Sequence, residues 1–294
     1  MTFVLAHLSD PHLAPLPPLR LYELVGKRVT GFVNWKRKRE TIHRPEVLAC
    51  IVADLKAQKP DHIAVTGDLV NLALPDEYVT ARAWLDALGS PADVTLVPGN
   101  HDAYVGSGVA ASLAHWGEFM RGDTTTASFP FLRRRGPLAL IGVSTSVPSL
   151  PFIATGRVGA DQLQRLEKIL DDCGREGSYR VVLIHHPPTS KPSHYLKRLT
   201  DGPQLREVLA RHGAELVIHG HNHRRQTVWL DGPNGRIPAI GVPSASEAPP
   251  GEHDPAGYNL YCIEGSRGAW RCEVVTRGMA GDGVVELERT ELAN

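Results

Sequence analysis

The sequence lacks several features that would each point to a particular class of protein. No apolar run approaches the ~18 residues of a membrane-spanning helix. The four cysteines lie far apart and form no C-x-x-C pair, which argues against a disulfide framework or a zinc knuckle. The 32 basic and 32 acidic residues cancel, so the overall charge indicates neither nucleic acid nor membrane as a partner. The N-terminus has no basic stretch before a long apolar run, so we predict no signal peptide and a soluble cytoplasmic protein.

The sequence also lacks an internal repeat or a clear linker that would divide its 294 residues. The hydrophobic fraction of 42% is enough for a large core. We therefore predict one domain over residues 1–280, and we expect the mostly polar residues 281–294 to form a C-terminal tail. Fourteen histidines stand out, because histidine is the commonest metal ligand in proteins.

Six short apolar runs, each followed by a polar cluster, predict buried β-strands. Such β-branched and aliphatic runs are typical of strands that are covered on both faces. The polar residues then fall at the carboxyl ends of the strands. The predicted strands are Phe3–Leu8, Ile63–Val65, Val94–Val97, Leu138–Val143, Val181–Ile184 and Leu216–Ile218.

Segments with apolar residues at helical spacing lie between these runs. Alternating strands and helices predict a layered α/β fold. After Thr227 the pattern changes to short strands separated by Gly, Pro and Asp, which resembles an antiparallel meander closing a second sheet. The predicted helices are Pro45–Gln58, Glu77–Leu88, Asp161–Leu170 and Gln204–Ala210.

Five of the strand ends carry side chains that bind metals. Ligands of an open α/β sheet collect beyond the carboxyl ends of its strands. Carboxylate and amide oxygens mixed with imidazoles suit Mn, Fe, Zn or Co, and two such cations can clamp a phosphoryl group during displacement. The spacing of the last three histidines does not decide which of them are ligands. These side chains are Asp10, His12, Asp68, Asn100, His101, Asp102, His185, His186, His219, His221 and His223.

The order of these residues resembles the calcineurin-like metallophosphoesterase superfamily. Its signature is D-x-H, G-D, G-N-H-[DE], H and G-H-x-H. The chain carries all five blocks in order between residues 10 and 223, with His185 as the lone histidine. The HHPP block and the GDLVN form are closest to bacterial class III cyclic-nucleotide and glycerophosphodiester phosphodiesterases. The resemblance implies an α/β fold of four layers, an α/β/β/α sandwich of two mixed β-sheets flanked by helices.

The resemblance also implies a role for each block. A first divalent metal would be held by Asp10, His12, Asp68 and His223, and a second by Asp68, Asn100, His185 and His221. Asp68 would bridge the two ions, and a metal-activated hydroxide would attack phosphorus. Asn71 stands where purple acid phosphatases carry an iron-binding tyrosine, so divalent ions (Mn, Fe, Zn or Co) are expected.

The catalytic and substrate-binding predictions also rest on the resemblance. His101 corresponds to a histidine that contacts the phosphate and protonates the leaving group, and Asp102 would orient His101 or its loop. His219 falls outside the G-H-x-H block and is predicted to be a packing histidine. His186 and His194 are further candidates for substrate contact. The remaining histidines are interpreted as ordinary ones: His7, His43, His62, His115, His212 and His253.

Residues 26–39 form a basic insertion that the motifs do not explain. The segment GKRVTGFVNWKRKR holds six basic residues together with Phe32 and Trp35, and it follows the first predicted strand beside the site. It is open whether it is a solvated face, a lip for anionic substrates, a homodimer contact or a peripheral attachment to acidic lipids, although the aromatic residues favour more than solvation.

The predicted function is a two-metal phosphodiesterase of small phosphodiesters or cyclic nucleotides. One alternative is a membrane-associated hydrolase of phospholipid-like or nucleotide-sugar-lipid pyrophosphates. A DNA or RNA nuclease is disfavoured because the sequence has no long basic stripe beyond residues 26–39 and Arg133–Arg135. A scaffold that keeps the fold without the chemistry is disfavoured because no ligand position is missing.

Overall fold

The computed structural model describes residues 2–123, 128–189, 191–249, 251 and 253–292. In this part of the chain the strands are β1 (Phe3–Leu8), β2 (His62–Val65), β3 (Val94–Leu96), β4 (Phe131–Arg135), β5 (Leu138–Gly142), β6 (Tyr179–Leu183), β7 (Leu216–His219), β8 (Gln226–Gly232), β9 (Gly235–Gly241), β10 (Gly257–Glu264), β11 (Arg271–Ala280) and β12 (Gly283–Leu292).

Helices fill most of the longer connections between these strands. Prolines occupy the first turns of α3, α4 and α7, where the missing N–H leaves no helical hydrogen bond unmade. The helices are α1 (Lys27–Asn34), α2 (Glu40–Ile42), α3 (Pro45–Ala57), α4 (Pro75–Leu88), α5 (Gly108–Trp116), α6 (Ala160–Glu176) and α7 (Gly202–His212).

The described strands form two mixed sheets of six strands each. The first has the order β12-β11-β10-β1-β2-β3, and the second has the order β4-β5-β6-β7-β9-β8. Strands β1, β2 and β3 run parallel in the first sheet, as do β5, β6, β7 and β9 in the second. Antiparallel pairs complete both sheets. The parallel strands therefore bring their carboxyl ends to the same edge of each sheet.

The two sheets pack face to face, and helices cover their outer sides. Alternate residues of a strand face opposite sides of its sheet, so Leu183 packs with the first sheet while Val182 packs beneath α6 and α7. The other helix layer includes α3, which lies against β10, β11 and β12. The predicted four-layer α/β/β/α sandwich is confirmed.

The predicted positions of strands and helices agree with the structure better than the prediction of which sheet the strands after Thr227 join. All six predicted strands and all four predicted helices are present, with ends shifted by one or two residues except at α6, which ends six residues later than predicted. The late strands do not close one sheet: β8 and β9 extend the second sheet, whereas β10, β11 and β12 extend the first. The prediction of a polar tail is wrong for Gly283–Leu292, which pairs along β11 as strand β12.

The basic insertion is mainly helical. Helix α1 is followed by a π-helical stretch over Trp35–Arg39 and then by α2. Trp35 is buried, and its ring stacks on His43. Trp35 thus anchors the insertion to the rest of the chain, and the prediction that its aromatic residues do more than face solvent holds for Trp35. Within the described residues, the helices are too short or too polar to cross a bilayer.

Candidate metal centre

Five loops, each following a parallel strand, meet where the two sheets pack together. Three of these loops belong to the first sheet and two to the second. Most of the side chains at this junction are buried, and His221 is partly exposed, so a dense group of carboxylates and imidazoles is largely withdrawn from water. They are Asp10 and His12 after β1, Asp68 after β2, Asn100 after β3, His185 after β6, and His221 and His223 after β7.

One group of side chains surrounds the carboxylate of Asp10. The Nε2 atom of His223 lies 3.3 Å from Asp10 Oδ1 and 3.3 Å from His12 Nε2. The His12 Nε2 atom lies 3.9 Å from the same Asp10 oxygen and 3.8 Å from Asp68 Oδ2. Four potential ligand atoms therefore converge from loops of both sheets.

A second group lies on the other side of Asp68. The His185 Nε2 atom is 3.4 Å from Asp68 Oδ2, 3.2 Å from Asn100 Oδ1 and 3.2 Å from His221 Nδ1. The same Asp68 oxygen thus faces His12 in the first group and His185 in the second. One carboxylate oxygen that faces two groups of ligands is a geometry that suits a bridged pair of cations.

Each of the four histidines is held through its outward nitrogen. Metal-binding histidines are typically oriented in this way, by a carbonyl or a carboxylate on the other ring nitrogen. The four pairs are His12 Nδ1 with the Val70 carbonyl (3.4 Å), His185 Nδ1 with the Thr66 carbonyl (2.7 Å), His221 Nε2 with the Lys197 carbonyl (2.8 Å) and His223 Nδ1 with Glu247 (3.2 Å).

These contacts show that the residues present fit a pair of cations. A neutral imidazole that donates its outward N–H presents a lone pair inward. Inward nitrogens of His12 and His223, and of His185 and His221, then face each other at 3.3 and 3.2 Å, an arrangement that a cation between them stabilises. The buried Asp10 Oδ1 also has no hydrogen-bond donor within the described residues. The donor set of oxygens and imidazoles suits a divalent transition metal.

The backbone is strained at the candidate ligands. Five of them adopt positive φ angles, a region that non-glycine residues rarely occupy. Such strain persists where surrounding structure enforces it, and it concentrates at functional sites. The φ angles are 51° at Asp10, 40° at His12, 57° at Asp68, 70° at His221 and 51° at His223.

Two motif glycines allow the loops to approach so closely. A Cβ atom at Gly99 would collide with the Asp68 carboxylate. A Cβ atom at Gly220 would collide with Ser9 and with the Asp10 carboxylate. The glycines of the G-N-H and G-H-x-H blocks are therefore required by the packing of one ligand loop against another.

Asp102 organises the loop that carries Asp68. Its carboxylate accepts hydrogen bonds from the backbone N–H groups of Asp68, Leu69, Val70 and Gly99, at 2.8 to 3.2 Å. These bonds connect the loop after β2 to the loop after β3. Asp102 therefore positions the ligand loops through their backbones, and these bonds do not involve the His101 ring.

The carboxylates and the imidazoles of the two groups stabilise each other's charged forms. Burial opposes protonation of His185, but the Asp68 and Asp10 carboxylates outweigh it and raise the pKa of His185 to about 9, so a proton occupies its inward nitrogen until a cation displaces it. Burial likewise opposes ionisation of Asp10 and Asp68, yet the charges of His223 and His185 hold the pKa of each carboxyl below its usual range. Both carboxylates are consequently ionised at neutral pH and present negative charge to a cation.

A cavity of about 310 Å³ opens directly onto this centre. His101 lies in its wall, and its Nδ1 donates to the Asn71 carbonyl at 2.6 Å. Its Nε2 therefore accepts from the Arg39 guanidinium, whose Nη1 is 3.0 Å away. Burial and the charge of Arg39 lower the pKa of His101 to about 3, so the ring is neutral in this arrangement. Arg39 and Lys27 bring positive charge from the insertion to the cavity wall.

The remaining predicted residues lie around the centre. His186 is buried, and its two ring nitrogens contact Thr145 Oγ1 at 2.7 Å and the Ala154 carbonyl at 3.1 Å, which favours a role in holding that loop. His194 lies in a 3₁₀ turn and is not among the residues that line the cavity. His219 is buried at the end of β7, where its Nδ1 lies 3.2 Å from the Gly220 carbonyl.

Sequence reasoning missed four side chains that lie against the predicted site residues. They are Arg39, His43, Glu247 and His253. Glu247 pairs with His223 and, at 3.2 Å, with His253. The ring centroids of His43 and His12 are 4.6 Å apart, and the Nδ1 atom of His43 contacts Ser246 Oγ at 2.8 Å. Arg39 comes from the basic run, in which no spacing distinguishes it from its neighbours. The chain near Glu247 shows no motif, so only the fold reveals these contacts.

Comparison with known proteins agrees with this geometry. The family model of the calcineurin-like phosphoesterases matches residues 3–225. A probable cyclic nucleotide phosphodiesterase of Synechococcus sp. is 27% identical over 280 residues, which cover 93% of this chain and 92% of that relative. The glycerophosphodiester phosphodiesterase GpdQ of Enterobacter lignolyticus is 33% identical over 232 residues, which cover 75% of this chain and 70% of that relative.

Solved structures resemble the fold across almost the whole chain. A dimetal phosphatase from Danio rerio superposes with a TM-score of 0.66 at 14% identity, covering 98% of each chain. A purple acid phosphatase from yellow lupin superposes with a TM-score of 0.57 at 13% identity, covering 97% of this chain and 53% of that one. The family match, the two relatives and the arrangement of the carboxylates and histidines agree with each other. The chain therefore belongs to the calcineurin-like phosphoesterase family and is a metal-dependent phosphoester hydrolase.

Proposed function

We propose that the chain hydrolyses small phosphodiesters, including cyclic nucleotides, at a centre of two divalent cations. The observation that carries the proposal is the position of Asp68 Oδ2, which faces His12 in one group of ligand atoms and His185 in the other. The names of the two relatives, a probable cyclic nucleotide phosphodiesterase and a glycerophosphodiester phosphodiesterase, support diesters as the substrate class.

The assignment of ligands follows the two groups of side chains. The first ion would be held by Asp10, His12, Asp68 and His223, and the second by Asp68, Asn100, His185 and His221. When bound, such cations supply Lewis acidity at the phosphoryl oxygens and lower the pKa of a water molecule to ~7. A serine or cysteine nucleophile is therefore not needed, and Mn, Fe, Zn or Co would each suit the donor set.

Arg39 and His101 would hold the phosphate at the mouth of the centre. A guanidinium is always charged and can bind two phosphate oxygens at once, so it favours a group that gains negative charge in the transition state. His101 is hydrogen-bonded through both ring nitrogens. Its Nε2 carries no proton in this arrangement, so to protonate a leaving group the ring would have to exchange the Arg39 contact for the substrate oxygen and take up a proton on Nε2. We therefore assign phosphate binding to Arg39 and leaving-group contact to His101.

A substrate panel tests the proposed function. We expect metal-free protein reloaded with Mn, Fe, Zn or Co to hydrolyse bis(p-nitrophenyl) phosphate, glycerophosphocholine or a cyclic nucleotide. For at least one diester, kcat/KM should exceed the value for the monoester p-nitrophenyl phosphate by roughly tenfold or more. Higher kcat/KM for the monoester with every metal would contradict the assignment to diesters. Absence of any turnover with two bound metals would contradict hydrolysis itself.

Removing Arg39 and His101 separately and together should reveal that they act as one unit. Arg39→Ala should raise KM, and the inhibition constant of inorganic phosphate, by about tenfold or more, because it removes a charge-assisted contact. His101→Ala should lower kcat by ~10²–10³-fold with both metals retained. Since the two side chains touch, the double variant should lose less than the product of the single effects.

Two further variants separate this role from a structural one. Lys36→Ala removes a cation from the same helical stretch, where Lys36 pairs on the surface with Glu40 at 2.6 Å, and it should leave KM unchanged. Arg39→Lys should restore part of the phosphate affinity. If Arg39→Ala instead reduced metal content or thermal stability without changing phosphate inhibition, a direct phosphate contact would be refuted.

A cytoplasmic location and a homodimer stay predictions. The cysteines within the described residues are all free, which suits a reducing compartment. Cell fractionation and light scattering of the purified protein would test these two predictions.

A further inference from the structure

Three segments that contribute residues to the cavity wall also carry exposed apolar side chains. Of the eleven large hydrophobic side chains that are exposed in the described part of the chain, eight lie in these segments. These segments, which we call the rim, are residues 22–39, 147–157 and 191–198. Phe152, which also lines the cavity, is 82% exposed. The eight side chains are Tyr22, Val25, Val29, Val33, Leu150, Phe152, Tyr195 and Leu196.

Hydrogen bonds join the three segments into one surface. The Lys27 ammonium of the insertion donates to Ser149 Oγ at 2.8 Å and to the Ile153 carbonyl at 3.1 Å. The Ala154 N–H donates to the Leu196 carbonyl at 2.9 Å. Each segment also contributes residues to the cavity wall, so the apolar side chains border a single opening.

The rim is strongly basic in a protein of zero net charge. Its three segments contain ten lysines and arginines but only one acidic residue, Glu23, which is buried. Lysines 36, 38, 191 and 197 and Arg37 have exposed side chains. A surface that combines aliphatic and aromatic side chains with a basic surround is typical of proteins that bind the interface of an anionic bilayer.

We propose that the rim docks on anionic lipid bilayers. The Val29 and Val33 pair on α1, together with Leu150 and Phe152, would enter the headgroup region, while the basic side chains pair with lipid phosphates. The cavity would then open toward the membrane surface, where phosphoesters in the headgroup layer could reach it. The docking requires no metal and does not depend on the proposed reaction.

The charge and composition of the rim favour a bilayer over other partners. A second copy of the chain would place one basic rim against another, and like charges repel. Nucleic acid would match the charge, but its recognition relies on phosphate contacts and on aromatic stacking. It leaves no role for exposed valines and leucines, which gain most from contact with acyl chains. The apolar residues that carry the argument differ from Phe32 and Trp35, because Trp35 is buried and Phe32 is partly covered.

Vesicle co-sedimentation of the whole 294-residue chain tests the docking. We expect binding to phosphatidylcholine vesicles that contain phosphatidylglycerol, and much weaker binding to phosphatidylcholine alone. The double variant Val29→Ser/Val33→Ser should weaken binding by about tenfold or more, and Arg37→Glu/Lys191→Glu should abolish its dependence on the anionic lipid. Serine and valine have similar helix propensities, so α1 should persist.

A matched control lies on β12, on another part of the surface. Val285 and Leu287 are 43% and 41% exposed, close to the 45% and 43% of Val29 and Val33. Val285→Ser/Leu287→Ser should therefore leave vesicle binding unchanged. The docking would be overturned if the protein did not bind anionic vesicles, or if Val285→Ser/Leu287→Ser weakened binding as much as Val29→Ser/Val33→Ser. Displacement from vesicles by single-stranded DNA, or a change from dimer to monomer in the Val29→Ser/Val33→Ser variant, would also overturn it.

Discussion

Replacing Asp68 by alanine is expected to abolish turnover and the pairing of metals together. Within the described residues, its Oδ2 atom is the one carboxylate oxygen that faces both groups of ligand atoms, at 3.8 Å from His12 Nε2 and 3.4 Å from His185 Nε2. Without it, two cations would repel each other across a site that has lost its shared negative charge. We expect kcat/KM to fall by ~10⁴-fold or more, and elemental analysis to find at most one metal per chain.

Asp10→Ala is the matched variant for this experiment. Asp10 is an equally buried carboxylate whose Oδ1 faces the first group, through His12 and His223, while its Oδ2 accepts the backbone N–H of His221 at 3.0 Å and does not face the ligand nitrogens of the second group. Its loss should weaken the first ion and leave the second, which we assign to His185, Asn100, His221 and Asp68. If Asp68→Ala protein kept two metals and full activity, or if both variants lost the same single ion, the bridging role of Asp68 would be refuted.

Much of the site could be predicted because its residues follow strands with simple sequence patterns. A buried strand of a parallel sheet is a short apolar run, and a ligand directly after it lies at the carboxyl edge. Asp10 and His223 are far apart in sequence, and the residues around each one suffice to make it a candidate, but the choice of His223 over His219 came from the family resemblance. The Cβ clashes at Gly99 and Gly220 explain why the motif blocks include glycines.

The missing parts depend on contacts that leave no local pattern. The outward nitrogens of His185 and His221 bind backbone carbonyls of Thr66 and Lys197, and any residue type can supply a carbonyl. Arg39 is one of four consecutive basic residues, and only the π-helical stretch directs it to His101. The polar sequence of β12 was predicted as a tail because an edge strand that faces solvent lacks the apolar alternation of a half-buried one.

Alanine at His221 is expected to be far more damaging than alanine at His219. The Nδ1 atom of His221 lies 3.2 Å from His185 Nε2, with its Nε2 held by the Lys197 carbonyl, so the ring is oriented toward the second group. His219 lies within β7, and its Nδ1 contacts the Gly220 carbonyl at 3.2 Å. We expect His221→Ala to lose one metal and at least ~10²-fold in kcat, whereas His219→Ala should keep both metals and most of the activity.

The effects of the two alanine variants should differ clearly, because His219 and His221 differ in backbone conformation as well as in contacts. His221 has a φ of 70°, outside the strand, so its ring leaves the alternation that would have placed His219, His221 and His223 on one side. His219→Ala opens a cavity in the packing near Gly241 and should lower the thermal stability without changing the metal content. The opposite ranking, with loss of metal in His219→Ala and retention in His221→Ala, would mean that the G-H-x-H block is misaligned with the ligands. The second cation would then have to be assigned to other side chains.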